Sequence, residues 1–277
     1  MSEISSHFID VDGIRTHYLA CGDESLPAVV LIHGGGAGAS SRGNWSHLLP
    51  VFSQNYRTLA VDMVGFGETD KPDPAEYSYS QDNRVKHLAG VIEYLNIGPA
   101  PLIGNSMGGA TALGVAMVKP ELVSALVLMG SAGLNTELSP ALRPILNYDF
   151  TVEGMRRLVD GLTGSRYQCD EAIIHSRHED SLRPDAKTAY GSIMAWIGQQ
   201  GGLFYPEEDI ARVTTQTLVV NGKEDLVVPL TCAYKFLELL ENSRGYLIPH
   251  VGHWVMIEAP DEFAEVVNRF LGRVLGE

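Results

Sequence analysis

Short, continuous apolar runs alternate along most of the chain with segments of helical spacing. Ala28-Val29-Val30-Leu31-Ile32, Thr58-Leu59-Ala60-Val61, Pro101-Leu102-Ile103, Ala125-Leu126-Val127-Leu128-Met129, Thr217-Leu218-Val219-Val220 and Tyr246-Leu247-Ile248 show no polar alternation. Each predicts a strand, and the first reads as one buried on both faces. Between them, Val85, Leu88, Val91, Ile92 and Leu95 fall on one face of a helix predicted over 81–95. A second helix follows from Ala110 to Val118 and stops at Lys119-Pro120. Pro229 opens another that runs to about Leu240, and a last one spans Asp261 to Leu271. Ser40-Ser41-Arg42-Gly43 reads as a poor helix opening, so a helix is expected only from Asn44 or Trp45 to Phe52. Near the start, Asp12-Gly13 between Phe8–Val11 and Ile14–Leu19 predicts a hairpin. The strand–helix alternation implies an α/β domain with a mostly parallel, doubly wound sheet.

The rhythm breaks at about Gly133. From there to about Tyr205 the pattern holds helices near 153–162, 169–179 and 185–197 but no buried strand. This predicts a helical cap inserted into the core. The expected organisation is a first core part over 1–132, a cap over 133–206 and a second core part over 207–277. A cap of this kind shapes a substrate pocket and shields it from water.

Composition narrows the partners. Of 277 residues, 45% are hydrophobic, and the formal net charge is −14. That charge argues against nucleic acid and against an anionic membrane surface. It leaves room for a small anion held by one local Arg. Cys21, Cys169 and Cys232 are far apart and lack metal-ligand spacing, which fits a reducing compartment and gives no metal site. The first residues resemble no signal peptide, and no run approaches the roughly 20 apolar residues of a membrane span. A cytoplasmic protein is expected.

Three motifs carry chemistry. The first, His33-Gly34-Gly35-Gly36-Ala37-Gly38-Ala39, follows a predicted strand. Gly34, Gly36 and Ala39 also match a dinucleotide fingerprint, with Asp62 where a ribose-binding acid would stand. The loop is too wide for that role, because no helix opens within its glycines. A wide glycine loop suits an oxyanion donor instead. The second motif is Gly104-Asn105-Ser106-Met107-Gly108, between a strand and a helix. A serine on such a turn is strained, so the residues two positions away must be small. This is the nucleophile elbow of the α/β-hydrolase fold. The third feature is the order Ser106, Asp225, His253, each just past a predicted strand end. A serine hydroxyl is a weak nucleophile and requires a base. His253 supplies one near neutral pH, and Asp225 would hold its tautomer. His250 and Glu224 are the rival base and acid. Met107 N–H and a donor from Gly34 to Gly36, assigned to Gly35, would form the oxyanion hole.

His33-Gly-Gly-Gly-Ala-Gly, Gly104-Asn-Ser-Met-Gly-Gly, Gly222-Lys-Glu-Asp-Leu-Val-Val-Pro and Gly252-His-Trp together resemble the meta-cleavage product hydrolases, carbon–carbon bond hydrolases of bacterial aromatic degradation. The likeness spans nearly the whole chain and is strongest to the carbazole-pathway branch. It implies hydrolysis of a 2-hydroxy-6-oxo-6-aryl-hexa-2,4-dienoate to 2-hydroxypenta-2,4-dienoate and an aromatic acid, with no cofactor and with a homodimer or larger assembly. It also implies that Arg177 grips the dienoate carboxylate, that Asn105 bonds the enol oxygen, and that Trp254 walls the pocket. Gly35 and Gly36 would border the substrate. The family carries Trp-x-Asn after the glycine loop, whereas this chain reads Asn44-Trp45-Ser46-His47, so Asn44 or His47 takes that role. Leu138, Ile145, Leu158, Met194, Trp196 and Val227 are candidates for the aryl pocket. Two other readings fit the same motifs. One is a carboxylesterase on this triad, for which Arg177 would be dispensable. The other is a receptor of the same fold that binds without turnover.

Overall fold

The computed structural model describes residues 3–135 and 139–276. Ten strands and twelve α-helices are laid out along these residues. β1 (Ser5–Val11) and β2 (Ile14–Cys21) form the predicted hairpin, with Asp12 and Gly13 both at positive φ. β3 (Ala28–Ile32) is followed by α1 (Ser41–Trp45), α2 (Leu49–Phe52) and β4 (Arg57–Val61). The helix expected from Asn44 or Trp45 therefore starts earlier. Ser40 is extended and its hydroxyl accepts from Gly43 N–H at 3.0 Å, so the serine read as a poor opening is the N-cap. α3 (Gln81–Tyr94), β5 (Ala100–Asn105), α4 (Met107–Val118) and β6 (Val123–Met129) follow in the expected alternation.

Eight strands form one sheet in the order β1-β2-β4-β3-β5-β6-β9-β10. β1, β2 and β4 pair antiparallel, and every other pairing is parallel. β3, β5 and β6 are buried on both faces, which is why their sequences carry no polar alternation. From β3 the chain moves one way to β4, then crosses back to place β5 on the other side of β3. The crevice at the carboxyl ends of β3 and β5 is thus the switch point where open α/β sheets bind ligands. Their register, Ile32 beside Gly104, sets the glycine loop next to Ser106.

After β6 the chain passes through β7 (Leu134–Asn135), α5 (Arg143–Leu146), α6 (Val152–Leu162), α7 (Glu171–Leu182), α8 (Pro184–Gln200) and β8 (Leu203–Phe204). β7 and β8 pair antiparallel, bringing the two ends of this helical segment together. Two-residue strands are too short for periodicity to reveal. Then α9 (Glu207–Ile210), β9 (Thr217–Gly222), α10 (Leu230–Leu239), β10 (Ser243–Ile248), α11 (Val255–Glu258) and α12 (Pro260–Leu275) complete the fold. Among the described residues, no helix is long and apolar enough to cross a membrane.

Candidate active site

Ser106 caps α4 with φ 56° and ψ −120°, a positive-φ conformation that L side chains rarely adopt. Its N–H donates to Met129 O at 3.0 Å, and its carbonyl accepts from Ala110 and Ala132 N–H groups, both at 3.1 Å. These bonds hold the strained turn between β5, β6 and α4. The flanking glycines are required by contact. A Cβ on Gly104 would lie 2.5 Å from Gly108 O, and one on Gly108 would lie 2.4 Å from His33 O.

Asp225 stands three residues past β9 and His253 five past β10. Both are buried, and His253 Nδ1 lies 2.8 Å from Asp225 Oδ2. The other carboxylate oxygen accepts from Val227 N–H at 2.9 Å and Val228 N–H at 2.8 Å. With Asp225 accepting through both oxygens, the proton belongs on His253 Nδ1, which leaves Nε2 as the acceptor nitrogen. The rivals are elsewhere. His250 is exposed and faces Glu224 at 3.3 Å.

Ser106, His253, Met107, Gly34, Gly35, Gly36, Asn44, Asn105, Arg177 and Trp254 all border one cavity, so the sequence-predicted set converges. Met107 N–H opens α4 and has no acceptor four residues back, so it is free to point at developing charge. His33 organises the opposing loop. Its Nε2 accepts from Met63 N–H at 3.0 Å, which leaves the proton on Nδ1 to donate to Gly34 O at 2.7 Å. Gly34 O and Gly35 N–H belong to one trans peptide and point in opposite directions. Holding the carbonyl therefore aims the Gly35 donor away from His33. Burial lowers the His33 pKa, which keeps the ring neutral in this role.

Arg177, on α7, is buried against this wall. Its Nη2 donates to Ala37 O at 3.0 Å, its Nη1 lies 3.5 Å from Asn44 Oδ1, and its guanidinium sits 4.8 Å over the Trp254 ring. Nε has no partner, and no carboxylate pairs with the group among the described residues. Burial lowers its pKa to about 10, so it stays charged at neutral pH. Asn105 is fully buried. Its amide donates to Met129 O at 3.2 Å and His253 O at 3.3 Å, while Oδ1 has no partner.

The alternatives left open separate cleanly. Asn44 borders the cavity, whereas His47 Nε2 donates to Met256 O at 2.7 Å and Trp45 is in the core. Ile145, Met194 and Val227 line the cavity, joined by Leu142, Leu146 and Ile197. Leu158 is instead core, Trp196 lies under Arg84 at 5.3 Å, and Leu138 falls outside the described residues. Asp62 is buried, and its carboxylate is bonded to His17, Ser41 and Glu68 within the protein. Sequence reasoning missed Gly130 as well as His33. A Cβ on Gly130 would lie 3.0 Å from both Asp225 Oδ2 and His253 Nδ1. The only sequence signal was a glycine directly after the β6 run.

A strained serine, a buried Asp–His pair and two loops of free N–H groups at a switch point define a serine hydrolase of α/β architecture. The family model described as alpha/beta hydrolase fold matches residues 27–260. The 2-hydroxy-6-oxo-6-(2'-aminophenyl)hexa-2,4-dienoic acid hydrolase of Metapseudomonas resinovorans is 51% identical over 96% of this chain and 90% of its own length. The 2-hydroxy-6-oxo-2,4-heptadienoate hydrolase of Pseudomonas putida is 35% identical over 88% of each. A solved serine hydrolase involved in carbazole degradation superposes with a TM-score of 0.89 at 48% identity, covering 98% of this chain and 99% of that one. The chain belongs to the α/β-hydrolase family and, within it, to the meta-cleavage product hydrolases.

Proposed function

We propose that the chain hydrolyses the carbon–carbon bond of a 2-hydroxy-6-oxo-6-aryl-hexa-2,4-dienoate through Ser106, His253 and Asp225. The observation that carries this reading is Arg177, a buried cation facing the cavity with no carboxylate partner among the described residues. A buried charge without an ionic partner is costly, and a substrate carboxylate removes that cost. An ester substrate would give it nothing to bind. Asn44 Oδ1 orients the guanidinium, Trp254 stacks on it, and the free Asn105 Oδ1 accepts the enol O–H. The aryl group packs on Ile145, Met194 and Val227.

The chemistry balances with one water. The dienol ketonises by moving its hydroxyl proton to carbon 5. Ser106 Oγ then attacks the carbon 6 carbonyl, or assists attack by water, while His253 Nε2 takes the proton. Gly35 and Met107 N–H groups hold the oxyanion. Cleavage of the bond between carbons 5 and 6 leaves a carbanion, which delocalises through the double bond onto the carbon 2 oxygen near Arg177. The products are 2-hydroxypenta-2,4-dienoate and an aromatic acid. No cofactor is called for.

The segment over 133–206 acts as a lid in this reading, since it contributes Arg177, Ile145 and Met194 to the wall. A cytoplasmic homodimer or higher homo-oligomer is the working form, a reading that rests on the cysteine pattern and on the resemblance.

The test is bleaching of the yellow absorbance of the phenyl or aminophenyl substrate, with Ser106→Ala alongside. Rapid bleaching with release of aromatic acid, lost in the variant, is the expected result. No bleaching, with p-nitrophenyl esters cleaved instead, would overturn the dienoate reading and leave a capped esterase.

A further inference from the structure

The His253 loop is not held by its own turn. Glu258, at the end of α11, sends its carboxylate back to the loop and collects three backbone N–H groups. Oε1 accepts from Gly252 at 3.1 Å and Trp254 at 3.2 Å. Oε2 accepts from Gly252 at 3.0 Å and from Gly164 at 2.7 Å. Gly252 and Trp254 flank His253, while Gly164 lies just past α6 in the helical segment. No basic side chain pairs with Glu258 among the described residues, so its charge is met by these N–H groups. Burial raises the carboxyl's pKa, and the same three N–H groups oppose that rise.

The two segments touch backbone to backbone. His253 N–H donates to Leu162 O at 2.8 Å. A Cβ on Gly164 would stand 2.8 Å from His250 O, and one on Gly252 would stand 2.5 Å from Gly164 N. The contact leaves no room for a side chain at either glycine, and the Glu258 carboxylate bridges it.

We propose that Glu258 is a positioning residue: by gathering the N–H groups of Gly252, Trp254 and Gly164 onto one carboxylate, it sets the place of His253 against Ser106 and ties it to the segment that carries Arg177. The proposal rests on the reading of Ser106 and His253 as nucleophile and base. Both carboxylate oxygens are used. Glu258→Gln, close in shape, therefore turns an NH₂ toward at least one N–H and leaves that donor without an acceptor.

The experiment measures reaction of Ser106 with diisopropyl fluorophosphate at 25 °C, together with steady-state kinetics and thermal melting. Ser106 Oγ bonds phosphorus, fluoride leaves, and the proton passes to His253, so the rate reads His253 placement without substrate binding. In folded Glu258→Gln we expect the rate to fall roughly 10- to 100-fold, as sub-ångström misplacement of a base does. kcat should fall by a similar factor, with KM changed less than about threefold. Glu258→Asp, which keeps the charge but retracts it by one methylene, serves if the first variant does not fold, and a slowed rate is expected there too. A wild-type rate in either folded variant, whether or not melting falls, would overturn the proposal. Failure of the wild type itself to react would instead indict the reading of Ser106.

Discussion

The Arg177 guanidinium stacks 4.8 Å above the Trp254 ring, and the two come from opposite parts of the molecule. Arg177 is on α7 in the helical segment, whereas Trp254 follows His253 in the loop between β10 and α11. If Arg177 holds the substrate carboxylate as proposed, this stacked pair joins it to the loop that carries His253. Arg177→Ala should lower kcat/KM for the dienoate by about 2–4 kcal/mol, or roughly 30- to 1000-fold, mostly through KM. Cleavage of p-nitrophenyl acetate, which has no carboxylate to bind, should change little. Parallel assays of the two substrates check this.

His33 donates to Gly34 O and accepts from Met63 N–H, so it fixes a peptide rather than touching substrate. His33→Ala should cost kcat but not KM. The ceiling is the loss of one oxyanion donor, on the order of 10²- to 10³-fold. Steady-state kinetics over a range of substrate concentration separates the two parameters.

Asp225→Asn keeps the acceptor for Val227 and Val228 N–H groups but presents an amide N–H₂ to His253 Nδ1. The ring then moves its proton to Nε2 and can no longer act as base. A drop of about 10³- to 10⁴-fold in kcat is expected, with melting little changed.

Gly130 has φ +48° and packs against both members of the Asp–His pair. Gly130→Ala should lower kcat about tenfold or more, by pushing that pair apart. Gly198→Ala is the matched control. Gly198 is exposed on α8 with nothing near its missing Cβ, so activity should be unchanged and the helix stabilised by up to about 1 kcal/mol.

His87 provides a pH prediction. It is buried, its Nε2 donates to Thr16 Oγ1 at 2.8 Å, and its Nδ1 has no partner. Desolvation lowers its pKa from 6.5 to about 4. Between those values the unfolded chain binds a proton that the folded chain refuses. Stability is therefore full above about pH 6.5 and falls as pH drops toward 4, by on the order of 3 kcal/mol from this group. Urea unfolding at both pH values checks it. His87→Gln, which keeps a donor for Thr16, should flatten the dependence.

Where the structure departs from sequence expectations, the reason is local. Ser40 opens α1 because its hydroxyl turns back onto Gly43 N–H, a bond that composition alone does not reveal. β7 and β8 are two residues each and exist only because the ends of the helical segment meet. Leu158 and Trp196 were candidates for the pocket that the structure places elsewhere, because apolar side chains at helical spacing look alike wherever they point.

By itself the sequence determined most of the sheet, through apolar runs that became the doubly buried strands β3, β5 and β6. It also determined the elbow, through two glycines whose Cβ atoms would collide with backbone. The chain order of Ser106, Asp225 and His253 was legible for the same reason: each sits just past a strand end, and strand ends are local signals. Only the tertiary structure put Asn44 on the cavity wall and turned His47 to Met256, set Arg177 beside Trp254, and brought His33, Gly130 and Glu258 against the site. Those choices depend on contacts between residues far apart in sequence, such as Glu258 with Gly164. Local pattern reports which face of an element is apolar. It does not report what that face, or a backbone N–H beside it, will meet.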